Sequence, residues 1–333
     1  MSIKIEEVNI KKFFRDKDIN WKLGDVNILV GKNGKGKSIL LNIMHHLLQG
    51  KEDKVLLKCE SATLKLSDKR ILSRNNSDKT SEILDGFAKF ILKELTNKKN
   101  ISRFLKNNKG KTEEQIKDDL EEIINAVNSK EIDAPSGFFM EMGPEKPDAH
   151  EKINTCYIST INMNANSNSE VKKSSGGKTT ILTMETESEI SDLLANEENP
   201  GLQALKVKDK EILEMILNDL FKETNKKIVI GVDFKIQDIN SHDEFEIDDL
   251  SSGERQLIYT LIKVANSKRE NQVILMDEPE ISLHLSWQEK LLASIRQLRP
   301  DSQIIVVTHS PGILMGGWMG CYQEIDNILH SAE

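Results

Sequence analysis

Aromatic side chains make up only 5% of this 333-residue sequence, and cysteine occurs three times. Cys59, Cys156 and Cys321 are odd in number, far apart and without metal-ligand spacing. That excludes a disulfide framework and a cysteine-based zinc site, and leaves buried or incidental thiols of a reducing compartment. No apolar run approaches the roughly 20 residues of a membrane span. The opening stretch, MSIKIEEVNIKKFF, has no cationic segment followed by an apolar one, so it does not read as a secretory signal. The expectation is a cytoplasmic protein with no membrane partner. Positive charge is not in excess either, since 46 Lys and Arg stand against 54 Asp and Glu for a net charge of −8. A chain coated in nucleic acid is thereby disfavoured, while a local basic patch stays open. The length allows one large or two modest domains with a substantial core.

What is present is an α/β rhythm at both ends. Residues 3–10 alternate apolar and polar as a strand does, and 25–30 form a short apolar strand. A glycine loop follows, then a helix over 38–50 that stops at Gly50. From 51 to about 152 the pattern changes, with one or two strands in KVLLKCESATLKLSD and helices near 80–96 and 112–129. Ile116, Leu120, Ile123 and Val127 make one stripe in the second helix. At about four turns it fits a packed lobe helix rather than the base of a long coiled coil. Lys98, Lys99, Arg103, Lys106, Lys109 and Lys111 have no acid among them. They read either as a solvated helix face or as a contact for phosphate or a partner. A strand at 153–159 precedes a segment, 160–180, whose Asn, Ser and Lys content reads as a long flexible loop. Helices near 186–195 and 208–223 and strands joined by a turn over 226–250 come next. The end alternates helix 253–267, strand VILMD, helix 286–297 and strand IIVVTH, with no internal repeat.

GKNGKGKS at 31–38 fits G-x-x-x-x-G-K-[ST], with a strand before it and a helix after it. Gly31, Gly34 and Gly36 allow a tight loop whose N–H groups turn onto phosphate oxygens. Lys32, Asn33, Lys35 and Ile39 complete the expected nucleotide contacts, Lys37 reaches the β and γ phosphates, and Ser38 supplies a hydroxyl to Mg²⁺. SSGGKTT at 174–180 is a decoy, because Lys172 stands where the first glycine belongs and no apolar strand precedes it. VILMDEPE at 273–280 is an apolar strand ending in acids. Beside a phosphate loop, Asp277 would join the Mg²⁺ shell and Glu278 would polarise the attacking water. IIVVTHSP at 304–311 ends a second buried strand at His309, which is placed to donate to the γ-phosphate.

The phosphate loop, LSSGERQ at 250–256, ILMDEPEISLH at 274–284 and VVTHSP at 306–311, in that order, resemble the ABC-type ATPase head. They are most similar to the SMC-like branch found in DNA-repair heads and in OLD-family and related antiphage ATPases. The likeness covers the first ~50 and last ~85 residues, and the middle ~200 match in layout only. It implies an α/β P-loop NTPase head with a central mixed sheet, an N-terminal antiparallel β subdomain and a helical lobe. Residues 1–333 would form one domain, with a core lobe of 1–58 and 226–333 and an inserted helical lobe at about 59–225 that includes the flexible 160–180. ATP and Mg²⁺ are the implied ligands. The resemblance also implies a homodimer or higher homo-oligomer, in which Ser251, Ser252, Gly253 and Glu254 of one chain cap the ATP held by the other. Taken alone, that run reads as a helix cap with Ser252 at the N-cap. EISLH would be the D-loop, with His284 in it. The sequence lacks the family's glutamine after the strand at 153–159, and it has no clear aromatic platform for adenine. Phe13, Phe14 and Arg15 are candidates, against plain packing.

The resemblance favours an ATP-switched head that controls a separate effector, a nuclease or toxin, as in Septu-, PARIS- or retron-linked antiphage systems. Only 22 residues follow Pro311, too few for a nuclease in the same chain. A DNA-repair or chromosome-organising head is the alternative. It expects a long heptad insertion or a basic surface for a duplex, and nucleic acid as a partner stays open on that reading. A transporter subunit fits the signature less well.

Overall fold

The computed structural model of the protein describes residues 2–76, 138–142, 153–159, 170–172 and 178–332. The helices expected at 80–96 and 112–129, the basic run at 98–111 and most of 160–180 lie outside the described residues. Along the chain, β1 (Ile5–Phe13) and β2 (Lys17–Lys22) form a hairpin, and β3 (Val26–Val30) leads through the glycine loop into α1 (Lys37–Gln49). β4 (Ser61–Leu66), β5 (Ile71–Asn75) and β6 (Phe138–Met142) extend the hairpin into an antiparallel sheet. β7 (Asn154–Ser159) precedes a short hairpin of β8 (Glu170–Lys172) and β9 (Lys178–Thr180), followed by α2 (Ile181–Leu194) and α3 (Pro200–Phe221). β10 (Lys226–Ile230), β11 (Phe234–Asp238) and β12 (Glu244–Phe245) form a small antiparallel sheet. The rest runs α4 (Ser252–Asn266), β13 (Gln272–Asp277), α5 (Leu285–Leu298), β14 (Gln303–Thr308), α6 (Pro311–Met315), β15 (Tyr322–Glu324), α7 (Ile325–Ile328) and β16 (Leu329–Ser331).

The fold is α/β, with its two strand types held in separate sheets. Among the described residues the central sheet, ordered β15-β3-β14-β13-β7, is parallel. The six-stranded sheet, ordered β16-β2-β1-β4-β5-β6, is antiparallel. The composition of the central strands explains this. All six residues of β13 and all six of β14 are buried. Strands covered on both faces read as continuous apolar runs and are joined by helical crossovers. Alternation then divides the residues between two cores. Ile274, Met276, Ile304 and Val306 pack with the helical layer, on Leu217 of α3, Leu257 of α4 and Leu291 of α5. Val273, Leu275, Ile305 and Val307 pack the other way, on Leu40 and Met44 of α1 and Val8 and Ile10 of β1.

Three local expectations need correction. Residues 54–58 form a 3-10 helix, not a strand, because the Asp53 carboxylate accepts from the Val55 N–H and starts a turn. Inside 160–180, expected as open loop, residues 170–172 pair with 178–180. There Thr179 donates to Asp248 at 3.2 Å and Thr180 caps α2, so both threonine hydroxyls of the decoy run are engaged within the chain. β7 lies within the span assigned to the inserted lobe, yet it pairs along its length with β13 in the central sheet.

Candidate functional site

The site is built where the parallel strands end. β3 turns at Gly31 and the chain reaches α1 through Gly34 and Gly36, with φ of 146°, 80° and 88°. Gly36 needs to be glycine twice over. Its φ is in the left-handed region, and a Cβ there would lie 2.6 Å from Phe14 Cε2 and 2.7 Å from Phe13 Cε1. It is the N-cap of α1, no side chain caps that end, and the first turn has no acid. A helix that opens this way presents bare N–H groups to an anion. Lys32, Asn33, Gly34 and Lys35 are exposed, and Ile39 packs against the α1-side core.

Lys37 folds back over the loop and is 5% exposed. Its ammonium donates to the carbonyls of Gly31 at 2.8 Å and Lys32 at 3.3 Å. Burial lowers its pKa, opposed by the negative charge of Glu278, Asp277 and Glu280. Ser38 donates its hydroxyl to Asp277 at 2.8 Å, so the end of β13 and the start of α1 meet at this bond. Asp277 is 2% exposed, and burial pushes its pKa up to about 6, with Glu278 and Glu280 adding repulsion against the Ser38 bond and Lys37. A hydroxyl and a buried carboxylate side by side are hard oxygen donors of the kind Mg²⁺ selects, so the residues present fit that ion.

Glu278 leaves the strand in a left-handed conformation, φ 48°, while its N–H still donates to Val307 at 2.8 Å. A non-glycine residue held there is strained, and such residues cluster at working sites. The turn aims Glu278 Oε1 at His309 Nε2, 3.2 Å away. The same nitrogen lies 2.7 Å from Lys37 Nζ. Nε2 accepts from the ammonium only when it bears no proton, and donates to Glu278 only when it does. The two contacts therefore exclude each other. Glu280, which the sequence reading left without a role, is 9% exposed and bonds to the turn that bears His309. Its one outward signal was a third acid in DEPE.

The signature run lies elsewhere in the bonding pattern. Ser251, not Ser252, is the N-cap of α4, accepting from the Glu254 N–H in a capping box. Glu254 is buried, its carboxylate taken by Lys226 at 2.8 Å and by the Ser251 N–H and hydroxyl at 2.9 Å each. It is thus engaged within its own chain. Gly253 presses on the loop before α5, where a Cβ would lie 2.3 Å from Ser282 O. Ser251 is exposed and Ser252 half-buried. His284 is the N-cap of α5, without a side-chain cap bond. Of the adenine candidates, Phe13 is fully buried and belongs to the core. Phe14, 41% exposed, packs on it with the rings tilted by 47°, beside the loop, and Arg15 follows with a positive φ. Ser159, buried, is in register with Asp277, and the position expected for the family's glutamine falls in the residues not described.

Comparisons with known proteins bear on the family and the fold. A region 36% identical over 84 residues occurs in the Septu protein PtuA of Bacillus thuringiensis, covering 21% of each chain. The Retron Vc95 probable ATPase of Vibrio cholerae serotype O1 biovar El Tor is 32% identical over 87 residues, 23% of this chain and 17% of that one. The chain thus spans about a fifth of the length of these curated relatives. An SMC head, solved bound to the C-winged helix domain of ScpA, superposes with a TM-score of 0.50 at 12% identity over 98% of this chain and 97% of its own, a likeness of fold. The family model described as AAA ATPase domain matches residues 50–314, beginning just past α1, and by that match the chain belongs to the AAA ATPase domain family.

Proposed function

We propose that this ATPase works as a head that closes head to tail on a second copy of itself around ATP and Mg²⁺, and so switches a separate effector, a nuclease or toxin, in antiphage defence in the cytoplasm. One observation carries the reading. The phosphate loop, Asp277, Glu278 and His309 form one bonded cluster, while Ser251 and Ser252 head a different helix, α4, where Ser251 is bonded to Glu254. A signature that does not reach its own loop is explained by a partner's loop. On this reading the uncapped end of α1 and Lys37 bind the phosphates. Mg²⁺, held by Ser38 and Asp277, would neutralise phosphate charge. Glu278 takes the proton of the attacking water, and His309 holds Glu278 in place. The regional likeness to a Septu protein and a retron ATPase supports the defence role. Among the described residues no helix is long and apolar enough to cross a membrane.

The test uses two inactive variants. Ser252→Arg blocks the signature and leaves the loop intact, and Lys37→Ala does the reverse. Mixed after subunit exchange, about half the dimers are hybrids with one whole site, so activity returns to roughly a quarter of wild type at most. No recovery at any ratio, with exchange of labelled subunits demonstrated and ATP-driven cross-linking between positions 252 and 34 absent, overturns the trans arrangement.

A further inference from the structure

We infer that Glu280 is a positioning residue for ATP hydrolysis, acting through His309. The inference rests on the reading of Glu278 and His309 as the hydrolytic pair. Glu280 Oε1 accepts three hydrogens: from the Thr308 hydroxyl at 2.6 Å, the His309 N–H at 2.9 Å and the Ser310 N–H at 3.1 Å. All three come from the end of β14 and the turn after it. Glu280 itself sits two residues past Glu278, separated from it by Pro279, whose ring fixes φ. The next turn is closed by the Ile281 N–H to Glu278 O at 3.3 Å and the Leu283 N–H to Glu280 O at 3.0 Å. Glu278 and His309 therefore lie on two strand ends that this side chain joins. The clip sets the distance between the acid and the imidazole.

Three hydrogen bonds that converge on one oxygen of a buried side chain make a stiff joint. The other oxygen, Oε2, has no hydrogen-bond partner among the described residues. The joint thus runs through one oxygen, and its geometry matters more than the full charge. Glutamine keeps an accepting oxygen at the same reach, whereas aspartate keeps the charge and falls short by one methylene.

Purified full-length variants separate the two. Glu280→Gln should hydrolyse ATP within about threefold of wild type, while Glu280→Asp should lose about tenfold or more in kcat, the value of roughly one well-placed hydrogen bond. Binding of a fluorescent ATP analogue should stay within about twofold for both, since the loop is untouched and bound nucleotide reports a folded chain. On a His309→Ala background, Glu280→Asp should add no further loss, because residues acting as a unit fail together. Thr308→Val removes one donor with little change of shape and should cost about threefold in kcat, which decides the matter if Glu280→Asp does not fold. Wild-type turnover by Glu280→Asp, equal damage from Gln and Asp, or losses that multiply with His309→Ala would each overturn the assignment. An inactive wild-type protein would instead remove the reading of the hydrolytic pair.

Discussion

Burial holds the Asp277 carboxyl at a pKa of about 6 against an ordinary 3.8. A raised carboxylate pKa means that the folded state binds the proton more tightly than the unfolded one. The fold therefore loses stability as pH rises from below 3.8 through 6, and the loss is complete above that window. The upper bound is about 3 kcal/mol at neutral pH. Asp277→Asn keeps an acceptor for Ser38 and removes the charge. It should stabilise the nucleotide-free protein by about 1–3 kcal/mol at pH 8, with roughly half that gain left at pH 5. Melting curves at the two pH values check the sign. A variant no more stable than wild type at pH 8 counts against a strained carboxylate. The same substitution should abolish Mg²⁺-dependent turnover, so stability and activity move in opposite directions.

Among the elements, the loop–helix joint makes the most specific demand. Gly36→Ala must place a methyl against the buried ring of Phe13 and hold an L residue at φ 88°. Gly34, φ 80°, has nothing within 4 Å of the same added atom. Gly36→Ala should therefore destabilise the chain by about 1–3 kcal/mol and lose nucleotide binding, with Gly34→Ala closer to wild type in stability. Urea titration and calorimetry with ATP rank the two. The elements that position this site were readable before the structure, for good reason. Strand, glycine loop and helix are adjacent in sequence, and β13 and β14 are uninterrupted apolar runs ending in polar residues. What was not readable depends on contact between distant segments. Nothing in DEPE says that Glu280 turns inward to the 308–310 turn, because only the pairing of β13 with β14 brings them together. The short β2 was missed, although Ile19 and Trp21 alternate, because Phe14–Lys17 offers no glycine or proline to mark its start. The cap fell on Ser251 rather than Ser252, a one-residue ambiguity that two adjacent serines cannot resolve.

The whole molecule is tied across its helical layer by a buried ion cluster. Arg299, 2% exposed, follows α5 and donates to Asp209 of α3 at 3.1 Å and to the Ser267 carbonyl at 3.0 Å, with Arg269 on the same carboxylate. Asp209→Ala would strand Arg299 in the interior and should cost about 3–5 kcal/mol, read as a lower urea midpoint at unchanged slope. Arg299→Met in the same background should recover part of that loss, since it removes the unpaired charge. The central sheet is closed over a still longer range. β3 ends at Val30, and the two strands that pair with it, β14 and β15, begin at Gln303 and Tyr322. On a ribosome adding about 5–20 residues per second, β3 waits on the order of tens of seconds for its neighbour. During that interval it is an unpaired apolar edge, open to chaperones and to other nascent chains. The glycine loop is translated well before the strands that wall it, β13 and β14. A chain cut short before β14 lacks both neighbours of β3 and also His309, so the walls of the glycine loop form only once β14 and β15 have joined β3.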